Sequence, residues 1–188
     1  FRSTRTSKPT PPDHEESTPL ETLEQAYSQI KSEVMDQLLE QVKKASPAFF
    51  EDLVVKLLLA MGYGGAVEDA GQVIGRSGDG GIDGVISEDR LGLDSIYIQA
   101  KRWENIVGRP VVQSFAGCLD GVRAHKGVMI TTSTFSAGAR EYVSHIGKKI
   151  VLIDGIQLVD LMFECELGVT TTETYKLKRI DQDFFEEE

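Results

Sequence analysis

Asp83, Gln99 and Lys101 are the polar residues of this 188-residue chain whose types and spacing point most directly to chemistry. Asp83 opens a short apolar run, in Gly80-Gly81-Ile82-Asp83-Gly84. Gln99 and Lys101 lie two apart in Ser95-Ile96-Tyr97-Ile98-Gln99-Ala100-Lys101. Strand alternation sets them on one face with Tyr97 and sets Ile96, Ile98 and Ala100 on the other. If the two runs pair, Asp83 converges with Gln99 and Lys101 at one end of a sheet. Glu51, on the flank of a preceding helix, reaches the same place. Carboxylates so gathered repel unless a cation joins them. Mg²⁺ suits such a site because it takes oxygen ligands and keeps several waters, and Mn²⁺ is the alternative. A lysine beside the cation steadies a nucleophilic water and a developing negative charge.

The elements that must position these residues follow from pattern. Residues 21–44 are rich in Glu, Gln, Lys and Leu, and Leu23, Tyr27, Ile30, Val34, Leu38 and Val42 recur at threes and fours, which predicts an amphipathic helix after Pro19. Ser46-Pro47 opens a second helix as N-cap and first helical residue. Phe50, Leu53, Val54, Leu57, Leu58 and Met61 form its buried stripe, Glu51 lies at the stripe's edge, Asp52 points to solvent, and Gly62 ends it. Residues 62–84 contain nine glycines and read as turns. The strands Gly84–Ile86 and Ser95–Lys101 then form a hairpin. Pro110 starts a helix with Val111, Val112, Phe115, Cys118, Leu119 and Val122 on one face. A strand at 127–132, a helix at 136–147, a strand at 149–153 and a helix at 155–164 follow. The class is α/β, with a mixed central sheet flanked by helices on both faces. Residues 172–180 alternate weakly and are expected to add an edge strand.

Composition excludes several classes. The longest apolar runs fall far short of the roughly 20 residues that span a bilayer. Two cysteines, Cys118 and Cys165, make no disulfide framework, so a reducing, cytoplasmic setting is expected. Residues 1–20 are dominated by Pro, Ser and Thr and read as a disordered linker from a missing N-terminal domain, in keeping with a first residue that is not Met. Residues 21–168 are expected to form the domain that carries these residues, and 169–188 a C-terminal extension with an acidic tail. The net charge of −10 opposes general nucleic-acid binding. Residues 45–168 nevertheless hold 16 acids against 11 bases, and acids in a metal site are neutralised there.

The run Gly78-Asp79-Gly80-Gly81-Ile82-Asp83-Gly84, followed by Ile96-Tyr97-Ile98-Gln99-Ala100-Lys101-Arg102-Trp103, resembles the catalytic domain of Mrr-type restriction endonucleases, within the PD-(D/E)xK nuclease superfamily. Pro47-Ala48-Phe49-Phe50-Glu51, Val107-Gly108-Arg109-Pro110, Gly127-Val128-Met129-Ile130-Thr131-Thr132-Ser133 and Leu152-Ile153-Asp154-Gly155 agree in order and spacing. The resemblance implies a restriction-endonuclease-like core and Mg²⁺-dependent hydrolysis of double-stranded DNA, as restriction of modified, methylated foreign DNA in a bacterial cytoplasm. It implies that Asp83 binds the metal, that Lys101 is the catalytic lysine, and that Glu51 matches the helix acid that joins the metal shell. Gln99 stands where most of the superfamily has Asp or Glu, a form typical of the Mrr branch. A neutral amide is the poorer ligand, so either Glu51 supplies the charge or metal affinity is low. Full-length members carry an N-terminal winged-helix module that reads DNA. A double-strand cut takes two such sites, so a homodimer or higher homo-oligomer is expected.

Each residue also has a plainer reading. Asp83 after two glycines reads as a turn residue, and Lys101 at a strand end as a lysine reaching for water. Gln99 would satisfy a backbone group and Glu51 would be solvated. Arg76, Arg102, Trp103, Arg109 and Gln113 are candidate DNA contacts, since Arg binds phosphate and Trp stacks on bases. Asp79 caps the glycine turn or assists the metal. His125 and His145 read as surface residues. Two other functions stand beside the restriction enzyme. One is a nuclease of repair or mobile elements without methyl dependence. The other is a catalytically idle DNA-binding module.

Overall fold

The computed structural model describes residues 18–64, 81–88 and 93–186. Arg76 and Asp79 lie outside them. Helix α1 spans Pro19–Lys44. Its start is a capping box: the Thr18 hydroxyl accepts from the Glu21 amide at 3.3 Å, and the Glu21 carboxylate accepts from the Thr18 amide at 2.7 Å. The helix therefore takes in Pro19 and Leu20, two residues expected to belong to the linker. The chain divides into two compact units within α1, one ending at Val34 and one beginning at Met35. In the first unit Leu20, Leu23, Tyr27 and Ile30 are exposed.

The second unit is a four-stranded mixed sheet between helices. Its elements are α2 (Pro47–Ala60), β1 (Gly84–Ser87), β2 (Ser95–Lys101), α3 (Arg109–Gly121), β3 (Lys126–Thr131), α4 (Ala137–His145), β4 (Lys149–Ile153) and α5 (Gly155–Glu164). The strand order is β1-β2-β3-β4. β1 pairs antiparallel with β2, and the β2–β3 and β3–β4 pairs are parallel. Each parallel crossover carries one helix, α3 or α4, as such connections require. Side-chain caps fix the starts of α2, α4 and α5. Ser46 accepts from the Phe49 amide at 3.2 Å, Ser136 from the Ala139 amide at 3.2 Å, and Asp154 with Gln157 forms a full capping box.

Strand alternation divides the core in two. Ile86, Ile96, Ile98, Ala100, Val128, Ile130 and Ile153 pack with Leu38 and Val42 of α1, the α2 stripe and Leu158, Val159 and Met162 of α5. Met129, Ile150 and Leu152 face the other way, with Val112, Phe115 and Leu119 of α3 and Ala139 of α4. Phe50 and Phe115 are among the largest fully buried side chains, each contributing roughly 1.5–3 kcal/mol by burial. The edge strand expected over 172–180 does not form. Tyr175, Leu177 and Ile180 are all exposed there, so the alternation offers no apolar face to the sheet and finds no partner strand. The helix expected over 136–147 is shorter, because Ser136 is its cap and Ile146 is already extended.

Candidate active site

The hairpin register builds the site. Gly84 is opposite Ile98, which puts Asp83 at the level of Gln99. The Asp83 amide donates to the Ile98 carbonyl at 2.8 Å. One residue on, the ladder changes character: the Ala100 amide donates to Oδ2 of Asp83 at 2.7 Å. The carboxylate takes the place of a main-chain acceptor and so lies near the plane of the sheet, where ladder hydrogen bonds run.

Gln99 and Lys101 project from the face that carries Tyr97 and Met129, towards α3. Gln99 is only 5% exposed. Its Nε2 donates to the Gly81 carbonyl, two residues before Asp83. Its Oε1 is buried without a hydrogen-bond partner among the described residues. A buried acceptor left unpaired is destabilising by about 1–3 kcal/mol, and such atoms are rare in native proteins. Lys101 is half-buried, with Nζ 5.8 Å from the centre of the Trp103 ring.

Glu51 reaches this end of the sheet from the opposite face. The Arg102 guanidinium donates to the Lys43 carbonyl at 2.8 Å, which holds the α1–α2 junction beside the end of β2. At the other end of α2, the Gly64 amide donates to the Ser87 carbonyl at 2.8 Å. α2 therefore runs along β1 in the same direction. Val55 lies over Gly84, at 3.5 Å from where a Cβ would stand there. Glu51 is one helical turn earlier, towards Asp83 and Lys101, and is half-buried. α2 thus packs on the face of Ile98 and Ala100, opposite to the one that carries Gln99 and Lys101, and brings Glu51 to the end of the sheet where Asp83 lies.

The expected DNA contacts are spread around this end. Trp103 is 42% exposed and Gln113 is exposed on α3. The exposed Arg109 stacks on Tyr142 at 5.3 Å. Arg102 is half-buried, and its bond to Lys43 ties the end of α1 to the end of β2. His125 and His145 are exposed.

Sequence reasoning missed a hydroxyl ladder at the end of β3. Thr131 Oγ1 donates to the Lys101 carbonyl at 2.8 Å, Thr132 Oγ1 to that of Trp103 at 2.9 Å, and Ser133 Oγ to that of Glu104 at 3.1 Å. Thr131 and Thr132 are fully buried. Three hydroxyl residues closing an apolar strand were the signal, since a core strand has no other use for them.

Among the described residues no three His, Cys, Asp or Glu side chains gather into a metal cluster. A cation here would draw on Asp83 and the unpaired Gln99 oxygen, with Glu51 approaching from the α2 side. These oxygen donors fit Mg²⁺ or Mn²⁺ and not a soft metal.

Residues 42–162 match the model of the restriction endonuclease family of the Mrr catalytic type. The chain is 47% identical over 178 residues to the type IV methyl-directed restriction enzyme EcoKMrr of Escherichia coli strain K12, covering 93% of this chain and 58% of that protein. Among solved structures, MspJI restriction endonuclease in complex with a 27-mer oligonucleotide is similar at 20% identity and a TM-score of 0.48, over 70% of this chain and 31% of that one. The match to the family model spans most of the chain, so this protein belongs to the Mrr-type restriction endonuclease family.

Proposed function

We propose that this chain is the catalytic part of a Mg²⁺-dependent endonuclease, Mn²⁺ being the alternative ion, that hydrolyses phosphodiester bonds of double-stranded DNA. The observation that carries the reading is the buried Oε1 of Gln99, without a hydrogen-bond partner among the described residues, at the level of Asp83 in the hairpin, with Lys101 on the same face two residues on. Asp83, Gln99 and Glu51 would hold the cation. Bound there, Mg²⁺ supplies the positive charge that polarises the scissile phosphate. Lys101 holds the attacking water by hydrogen bonding and stabilises the negative charge that develops on the phosphoryl oxygens. Trp103 limits where the ammonium can go. Trp103, Arg109 and Gln113 face the nucleic acid, and Arg102 keeps the strand end in place.

Methylated foreign DNA is the target class, by analogy with the methyl-directed relative. A homodimer supplies the second site for a double-strand cut. No helix among the described residues is long and apolar enough to cross a membrane, and the working place is the cytoplasm, where the DNA is. The test is nicking of plasmids with defined methylation, with Mg²⁺ or EDTA. Cleavage of methylated plasmid with Mg²⁺ alone is expected. Equal cleavage of both plasmids would make the protein a nuclease without methyl dependence. Binding without any Mg²⁺- or Mn²⁺-dependent nicking would reduce it to an idle DNA-binding module.

A further inference from the structure

We infer that the Gly81 carbonyl is a positioning group that fixes the orientation of the Gln99 amide, so that Oε1 is presented for the cation and a carboxylate cannot take its place. The inference rests on the cation-binding reading of Asp83 and Gln99. An amide has one donating and one accepting end, and the two look alike in shape. Here the choice is forced, because Nε2 meets the Gly81 carbonyl oxygen, an acceptor only. Turning the amide over would set two acceptors against each other. The oxygen therefore points away from Gly81, where it is buried and has no partner among the described residues.

Gly81 is built for this approach. Its φ is +107°, and a Cβ there would stand 2.5 Å from Nε2 of Gln99. Any other residue would be strained in its backbone and would push the amide aside. Gln99 is thus no degenerate carboxylate. An ionised Glu has acceptors at both oxygens, so one of them would face the Gly81 carbonyl without a donor between. Gln99→Glu would restore the charge common in the wider superfamily and still work against this site.

The first experiment uses the protein without substitution. The side-chain NH₂ of Gln99, assigned through bonds to its own backbone by NMR, is expected to exchange with D₂O at least 100-fold more slowly than an exposed glutamine. Exchange at the exposed rate would overturn the inference. The second removes the confounding repulsion between two acids. Asp83→Asn/Gln99→Glu carries the same charge as the parent, and without metal at pH 8 it should melt about 5 °C or more below Asp83→Asn alone, consistent with a buried pair of facing acceptors. Equal melting temperatures would overturn the inference, and if the double variant does not fold the exchange measurement decides. Third, Gln99→Glu should cleave plasmid at least 10-fold more slowly than the parent, and equal or faster cleavage would overturn the inference. A parent that never nicks DNA would instead defeat the nuclease reading, leaving the exchange and melting results to decide the role of Gly81.

Discussion

The hydroxyl of Thr131 is hydrogen-bonded to the main-chain oxygen of Lys101 at 2.8 Å, across a parallel register in which the two residues are direct partners. The bond is side chain to backbone, so it fixes the strand end that carries the lysine and leaves its ammonium free. Thr131→Val keeps the shape and removes both the donor to Lys101 and the acceptor of the Ser133 amide at 3.2 Å. The variant is expected to lose about 1–3 kcal/mol of stability, as buried groups that lose their partners do. If the strand end shifts by about 1 Å, turnover falls by up to about 100-fold with DNA affinity unchanged. Thr131→Ser should restore both. Thermal melts and single-turnover nicking of the three proteins measure this, and a serine variant no better than the valine one would assign the effect to packing.

Helix starts, strands and the closeness of Asp83 to Gln99 were legible because each depends on local pattern: Ser46-Pro47, the alternation of 95–101, a hairpin between two short runs. The hidden features depend on contacts distant in sequence. Arg102 reads as a phosphate ligand, and its Nη1 donates to the carbonyl of Lys43, a bond that sequence alone does not show. Helical periodicity gives the angle of Glu51 about α2 but not which face of the sheet α2 covers, here that of Ile98 and Ala100. Residues 172–180 show that a weak alternation whose apolar side chains Tyr175, Leu177 and Ile180 stay exposed does not make a strand.

Lys101→Ala should lower cleavage by on the order of 10²–10³, comparable to removing one preorganised donor. DNA binding should hold, because the ammonium acts chiefly in the transition state. The check is nicking rate and gel-shift affinity measured on one preparation. A variant that cleaves at the parent's rate would take Lys101 out of the mechanism.

Gly155 begins α5 against the chain that leaves β3. A Cβ there would stand 2.5 Å from the Thr132 carbonyl oxygen, a main-chain atom with little room to move. Gly155→Ala should therefore destabilise by roughly 1–3 kcal/mol, as overpacking does. The shift passes to the Thr132–Trp103 bond and so to the loop after Lys101. A melting temperature equal to the parent's would show that α5 can slide without resistance.

At the end of the sheet away from the site, Lys126 bridges Glu88 and Asp94, the latter at 2.7 Å. The hydrogen bond from Lys126, then its charge, holds the Asp94 carboxyl below the usual carboxylate value. A lowered folded-state pKa stabilises above the unfolded value and ceases to do so as pH falls through the folded one. Lys126→Met should therefore melt below the parent at pH 7, and the two curves should converge below about pH 4. Nicking should not change. A difference that persists unchanged at pH 3 would mean that Lys126 acts through packing of its stem.

Asp83→Asn tests the cation site directly. The asparagine oxygen can still accept from the Ala100 amide, so the hairpin geometry survives, although a neutral acceptor makes the weaker bond. Removing the charge also relieves any repulsion with Glu51 when no metal is bound. The two effects oppose, and the metal-free variant should melt within a few degrees of the parent. Mg²⁺ separates the readings. A ligand that binds only the folded state at 100 times its Kd stabilises by about 2.7 kcal/mol. For a domain of this size that raises the melting temperature by roughly 5–10 °C. The parent should show this rise at matched ionic strength, and Asp83→Asn should show little of it. If Asp83 serves only as a turn acceptor, the variant melts lower without metal and both proteins respond to Mg²⁺ alike. That outcome would remove Asp83 from the metal site and, with it, the reason for the unpaired oxygen of Gln99.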